Sequence, residues 1–450
     1  MSFAMDLARR ANAIRLDAVP GEAAYVARRA IADTIGVAIA GSRTGFIASL
    51  ANVIGADGAQ GTASCIGRKG AFSVLHAALI NGTAAHALDF DDCSTAMAGH
   101  PSAPVVPAVL ALAQERKATG RAVIEAYLAG VEVEVRLARA IMPHHYDKGW
   151  HPTATLGVFG AAAASARLLG FDDEHMATTL AVAVSMAGGL KANFGTPVKP
   201  LHVGQAAHNG MLAALTVARG MSANHDAFDH NYGFFNVFNG AGTSSPEKAL
   251  EDAPLAVLEP GLSVKQHPCC GSAHSAIDAA IALFRRHGPL DPRSIARIET
   301  WTHERRLVHT NRPQPCTGLD AKFSVQYLTA RALLGGRISL SDFTKDRLKD
   351  GETAEMLGLV TSAAHREPDE YLGRVRVTLK DGTVLEEAAS TRFGRGPENP
   401  MSDAELETKF VDCARNLHGE VAAHSLFAGL MGIDHAEDIC GLMTATAGQP

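Results

Sequence analysis

From the N-terminus to about residue 260, long Ala-, Leu- and Val-rich stretches are separated by Gly and Pro, the punctuation of helix after helix. The pattern predicts helices over 102–116, 120–141, 153–169, 173–186 and 200–219. Several, such as the one opening Thr153-Ala-Thr-Leu-Gly-Val-Phe-Gly, are apolar almost all round, as helices buried among other helices are. Their small residues allow backbones to approach closely. No strand leading into a GxGxxG turn occurs, so a nucleotide-binding doubly wound sheet has no support.

The period changes after about residue 265. Residues 294–303 alternate like a strand, and 374–380 and 383–386 flank Asp381-Gly382, a tight hairpin turn. Helical stretches lie between them at 323–334 and around 341–348. Ser402-Asp-Ala-Glu405 is a capping box that starts a last helical segment. The expected fold class is mainly α. A large multi-helical domain (1–264 plus 402–450) carries an inserted, smaller α+β lid domain (265–401). A chain of 450 residues is too long for one core, in keeping with two domains.

Composition narrows the partners. The chain is 47% hydrophobic and 20% charged with a formal net charge of -6, and it contains no Lys/Arg run. Nucleic acid and anionic membrane are therefore excluded as expected partners. The N-terminus carries Asp6, Arg9 and Arg10 and does not read as a signal peptide, and the uncharged stretch 176–190 is short for a membrane span. A cytoplasmic protein is expected. Seven scattered cysteines without CxxC spacing read as free thiols.

The candidate chemistry starts at His86-Ala-Leu-Asp-Phe-Asp-Asp-Cys93, followed by Gly99-His100-Pro101. Three carboxylates in an apolar neighbourhood need partners or a task. Residues 89–93 are expected on a helix or at its end, where Asp89 and Cys93 share a face while Asp91 points away. Asp89 is thus the candidate functional acid, and Asp91 and Asp92 are read as caps. Three aspartates that do not face one way, with no second acidic cluster, argue against a metal. His100 precedes a helix. His151 sits before Pro152 at another, Lys199 and His202 flank Pro200 at a third, and Lys265, His267, Cys270 and His274 mark a fourth. A lysine before an apolar helix is ordinarily solvated. Its recurrence with histidine and proline at four entrances suggests helix N-termini converging on an anionic substrate.

These segments resemble the MmgE/PrpD family over nearly the whole chain: HALDFDDC with HPSAPVVPA, GWHPTATLG, NFGTPVKPLHVGQAAHNG, VKQHPCCGSAHSAIDAA and AKFSVQY. The resemblance implies a homodimer needing no cofactor and acting on a small polycarboxylate. Asp89, His100, His151, Lys199 and Lys265 are implied as catalytic and Tyr327 as a further, substrate-binding member; Cys93, His202, His267 and Cys270, which stand beside them, are the other expected substrate contacts. The reaction expected from it is epimerisation, with iminodisuccinate as substrate. Dehydration of the 2-methylcitrate kind or decarboxylation of the cis-aconitate kind are the alternatives. Two positions depart from the family pattern. Cys93 replaces a common threonine, and Cys270 stands where decarboxylase-like members carry a histidine.

Overall fold

The computed structural model describes residues 2–56 and 61–447. The chain forms two compact units, Met1–Val264 with Pro400–Pro450, and Lys265–Asn399. It is mainly α, with strands concentrated in the smaller unit.

In the larger unit the predicted helices form at Ser102–Arg116, Gly120–Ile141, Gly157–Leu168, Asp173–Val184 and Val198–Val217. Side-chain caps set several starts. Ser73 Oγ accepts the His76 N–H ahead of Val74–His86, Thr119 accepts the Ala122 N–H ahead of Gly120–Ile141, and Asp172 accepts the His175 N–H ahead of Asp173–Val184. The stretch expected as one helix from residue 153 is instead two pieces, Pro152–Thr155 and Gly157–Leu168, meeting at Leu156. Small residues govern the packing. Helix Val198–Val217 lies against Val74–His86 and Gly157–Leu168. At Gly204 a Cβ would fall 2.1 Å from Thr83 Oγ1 and 2.3 Å from the Leu79 carbonyl oxygen. The segment opened by the Ser402/Glu405 capping box, Asp403–His418, packs on helix Gly21–Gly41, where Phe410 covers Gly36.

The smaller unit has a four-stranded sheet in the order Val360–His365, Ile295–His303, Leu372–Leu379, Val384–Ser390. The first pair is parallel and the others are antiparallel. The predicted hairpin turns at Asp381-Gly382, with Gly382 in the left-handed region at φ 89°. Val375 and Val377 alternate onto the buried face, where Ile277, Leu283, Leu328 and Ile298 complete the core. Residues 341–348 are a 3-10 turn and a one-turn helix, Leu340–Phe343 and Lys345–Leu348. Among the described residues no single helix is long and apolar enough to cross a membrane, and the seven cysteines are free thiols.

Candidate active site

Helix Val74–His86 ends sooner than the Ala-rich sequence suggests. Asp89 adopts φ 54°, a left-handed conformation that Asp tolerates better than most residues but that no α-helix contains. Residues 89–93 are therefore not helical, and the prediction that Asp91 points away from Asp89 fails with its premise. Both carboxylates reach one cluster.

Asp91 is fully buried. Its Oδ2 lies 2.8 Å from His86 Nδ1 and 3.2 Å from His100 Nδ1. Asp89 Oδ1 accepts from Lys199 Nζ at 2.8 Å and lies 3.6 Å from His100 Nε2. Cys93 Sγ is 3.6 Å from His100 Nδ1. The His100 backbone N–H donates to Thr153 Oγ1 at 3.1 Å, which ties the entrance of Ser102–Arg116 to that of Pro152–Thr155. His151, the residue before Pro152, has its Nδ1 3.3 Å from His202 Nδ1, and its ring stacks edge-on to Phe194 at 4.9 Å. Three predicted helix entrances thus meet inside the larger unit, bringing together Asp89, Cys93, His100, His151, Lys199 and His202.

Burial and charge set the protonation states. Burial pushes His86 down to about 4, with Lys199 and His100 adding to the shift and Asp91 opposing it. Burial alone would raise Asp91, but His100 and His86 outweigh it and hold the carboxyl well below the usual range. His151 is lowered strongly, first by burial and then by its cationic surroundings, and burial lowers His202 as well. Two neutral imidazoles with facing Nδ1 atoms share one proton, one ring donating and the other accepting. Asp92 behaves as the expected cap. It accepts from the Ser102 N–H at 3.2 Å and from the Ser102 hydroxyl, and burial, opposed by these bonds, pushes it up to about 7.

The ligand atoms of His86, Asp89, Asp91 and His100 all lie within 4.8 Å of one another, a spacing a metal ion could use. Asp91 thus joins Asp89, contrary to the sequence expectation, while Asp92 faces Ser102 and stays apart. Yet Lys199 already occupies Asp89, and its ammonium 2.8 Å away would repel a dication. The arrangement suits proton transfer and the holding of carboxylates.

The remaining predicted residues belong to the Lys265–Asn399 unit. Lys265 is buried at its head. His267 Nε2 lies 2.9 Å from Asp278 Oδ1, a carboxylate that also accepts from Gln266 Nε2 and Thr391 Oγ1. The half-buried Cys270 donates its N–H to the Lys322 carbonyl at 3.0 Å. Tyr327 is buried in helix Val325–Gly335 with its hydroxyl donating to the Asp342 carbonyl, and burial pushes that hydroxyl up to about 12. His86 and Asp91 are the cluster members that sequence reasoning missed. The signal available was the run His86-x4-Asp91 leading to His100, hidden by the assumption of a helix.

The chain is similar to the cis-aconitate decarboxylase of Homo sapiens, 31% identical over 391 residues, which is 82% of this chain and 78% of that one. It is similar to the cis-aconitate decarboxylase of Aspergillus terreus, 27% identical over 461 residues covering 96% and 93%. It is also similar to the mitochondrial 2-methylcitrate dehydratase of Yarrowia lipolytica, 25% identical over 348 residues covering 71% and 64%. These relatives back the alternatives, decarboxylation and dehydration, better than the epimerisation expected first. The MmgE/PrpD N-terminal domain matches residues 5–246 and the MmgE/PrpD C-terminal domain residues 267–427, so the chain belongs to the MmgE/PrpD family.

Proposed function

We propose that this protein is a cofactor-independent lyase acting on a small unsaturated tricarboxylate of the cis-aconitate kind. The observation that carries the reading is His100, with Asp91 and Cys93 facing one ring nitrogen and Asp89, paired to Lys199, near the other. The relatives' reactions supply the substrate class.

In such a decarboxylation the bond to the departing carboxylate breaks. Its electron pair becomes a new double bond, and the pair of the old one is carried to a carbon that must take a proton. CO2 leaves, and the acid that gave the proton is recharged from solvent. His100 is the proposed acid, because Asp91 at Nδ1 supports the imidazolium before transfer. Lys199 counters the carboxylates that remain, and the His151–His202 pair offers a neutral proton carrier. Lys265 is kept as a participant on the family resemblance alone, and so are His267, Cys270 and Tyr327 as substrate contacts.

The second reading is dehydration. The relative from Yarrowia lipolytica and Cys270 at a position where decarboxylase-like members carry histidine favour it. There the base removes a proton next to a carboxylate and an acid assists the departing hydroxyl. Proton NMR in deuterated water distinguishes the reactions. With cis-aconitate, decarboxylation yields CO2 and an unsaturated dicarboxylate carrying one new deuterium. With 2-methylcitrate, elimination yields enoate absorbance. Deuterium exchange at the α-carbon of iminodisuccinate without unsaturation would restore epimerisation and defeat both. The same reading carries the expectation of a cytoplasmic homodimer, checked in part by light scattering at twice the chain mass.

A further inference from the structure

A buried lysine far along the chain touches the segment that carries the acids. Lys409, on helix Asp403–His418, donates from Nζ to the Phe90 carbonyl at 2.8 Å, and the same ammonium sits 4.0 Å from the centre of the Phe90 ring. Its counter-ion is Asp33 on helix Gly21–Gly41, with Nζ 2.6 Å from Asp33 Oδ1. Both side chains are almost wholly buried, at 4% and 1% exposure. A buried carbonyl requires a donor, and a buried ammonium requires a counter-charge. Lys409 meets the first need and Asp33 the second.

The position of that carbonyl matters. It belongs to the peptide joining Phe90 to Asp91, one residue beyond the left-handed Asp89. Rotating this peptide would swing Asp89 and Asp91 in different directions. Asp89 must meet Lys199 and Asp91 must meet His86 and His100, with only Phe90 between them. The aromatic ring and the carbonyl of Phe90 are gripped together on the side of Lys409, while the two flanking carboxylates turn to the imidazoles. We infer that Lys409 is a positioning residue, which holds the Phe90 peptide so that Asp89 and Asp91 face the acid–base cluster. The C-terminal return of the chain would then serve catalysis as well as the core. The kinetic arm of the test rests on the proposed lyase reading, and the exchange arm does not.

The test compares Lys409→Met with Lys409→Arg and with Arg136→Met, all in the full-length protein. Arg136 forms a similarly buried pair with Glu132 on helix Gly120–Ile141 and donates to the Ala249 and Glu251 carbonyls, none of these partners belonging to residues 87–94. Hydrogen exchange by mass spectrometry is followed on the peptide spanning 87–94. Lys409→Met should speed exchange there and lower kcat on cis-aconitate on the order of 10²-fold, the cost of a roughly 1 Å misplacement, while KM changes little. Lys409→Arg should recover most of both. Arg136→Met should lower thermal stability yet leave that peptide's exchange and kcat unchanged. If Lys409→Met does not fold, Asp33→Asn is measured instead, and it must speed exchange in the same peptide. Unchanged exchange across 87–94 in a folded Lys409→Met or Asp33→Asn protein overturns the inference. Altered exchange with no turnover of any polycarboxylate by the unsubstituted protein would overturn the lyase reading and leave the positioning role standing.

Discussion

His100 draws its chemistry from what faces its two nitrogens. Asp91 sits 3.2 Å from Nδ1, and Asp89, shared with Lys199, 3.6 Å from Nε2. Removing a proton-transfer group of this kind costs about 10²–10⁴-fold in rate. His100→Gln should therefore lower kcat by that order while the protein still melts as a folded species, and a variant that kept near-normal turnover would remove His100 from the mechanism. Behind it, His86 sets an acid limit on stability. Its folded value of about 4 lies below the ordinary 6.5, so the unfolded chain takes up a proton first as pH falls. Asp91, held low, adds a loss in the same direction at still lower pH as it is protonated. Stability should drop by roughly 2 kcal/mol between pH 7 and pH 5 from His86 alone, at about 1.4 kcal/mol per pH unit below 6.5. Urea melts of His86→Asn across this range should show a flatter slope, and an unchanged slope would mean that another group carries the effect.

Close helix packing carries the residue geometry into the elements. Lys199 and His202 occupy the first turns of helix Val198–Val217, and His86 ends the helix against which it packs. At Gly204 these helices leave no room for a side chain. Gly204→Ala would place a Cβ against Thr83 and the Leu79 carbonyl, an overpacking worth about 1–3 kcal/mol. Lower thermal stability is expected, together with a loss of kcat because Lys199 moves relative to Asp89. A melting temperature equal to the parent's would show that the helices yield without strain. At this scale the sequence was easiest to read where periodicity or turn chemistry is local. The apolar helices formed, the one from residue 153 in two pieces, as did the Asp381-Gly382 hairpin and the Ser402/Glu405 box. The end of Val74–His86 was hidden because Ala87-Leu88 has good helix propensity and the break lies in the backbone of Asp89. Strand Val360–His365 was missed because Val-Thr-Ser-Ala-Ala-His lacks apolar alternation, its place in the sheet coming from parallel pairing with Ile295–His303. Asp91 and His86 were lost with that helix end, since side-chain direction depends on it.

Across the whole molecule, the chain leaves the helical unit at residue 264 and re-enters it at residue 400. The returning segment is not an appendage. Leu406, Phe410, Leu426 and Leu430 lie in the helical core, and Arg29 bonds the Met401 carbonyl and Asp403. Each such apolar side chain contributes about 1.5–3 kcal/mol by burial, so losing four exceeds the margin of many domains. A chain ending at residue 399 should fail to yield a soluble helical unit, as circular dichroism and size exclusion would show. A soluble, cooperatively melting truncation would mean that the N-terminal helices suffice alone.

The left-handed turn at Asp89 also restricts how this chain could drift. Glycine would suit the backbone but carry no acid, asparagine would suit it but carry no charge, and glutamate would keep the charge while straining the turn and pushing the carboxyl outward by one methylene. No single replacement satisfies both demands, so position 89 has no neutral neighbour in sequence space. A lineage that abandons this residue must change its chemistry in the same step.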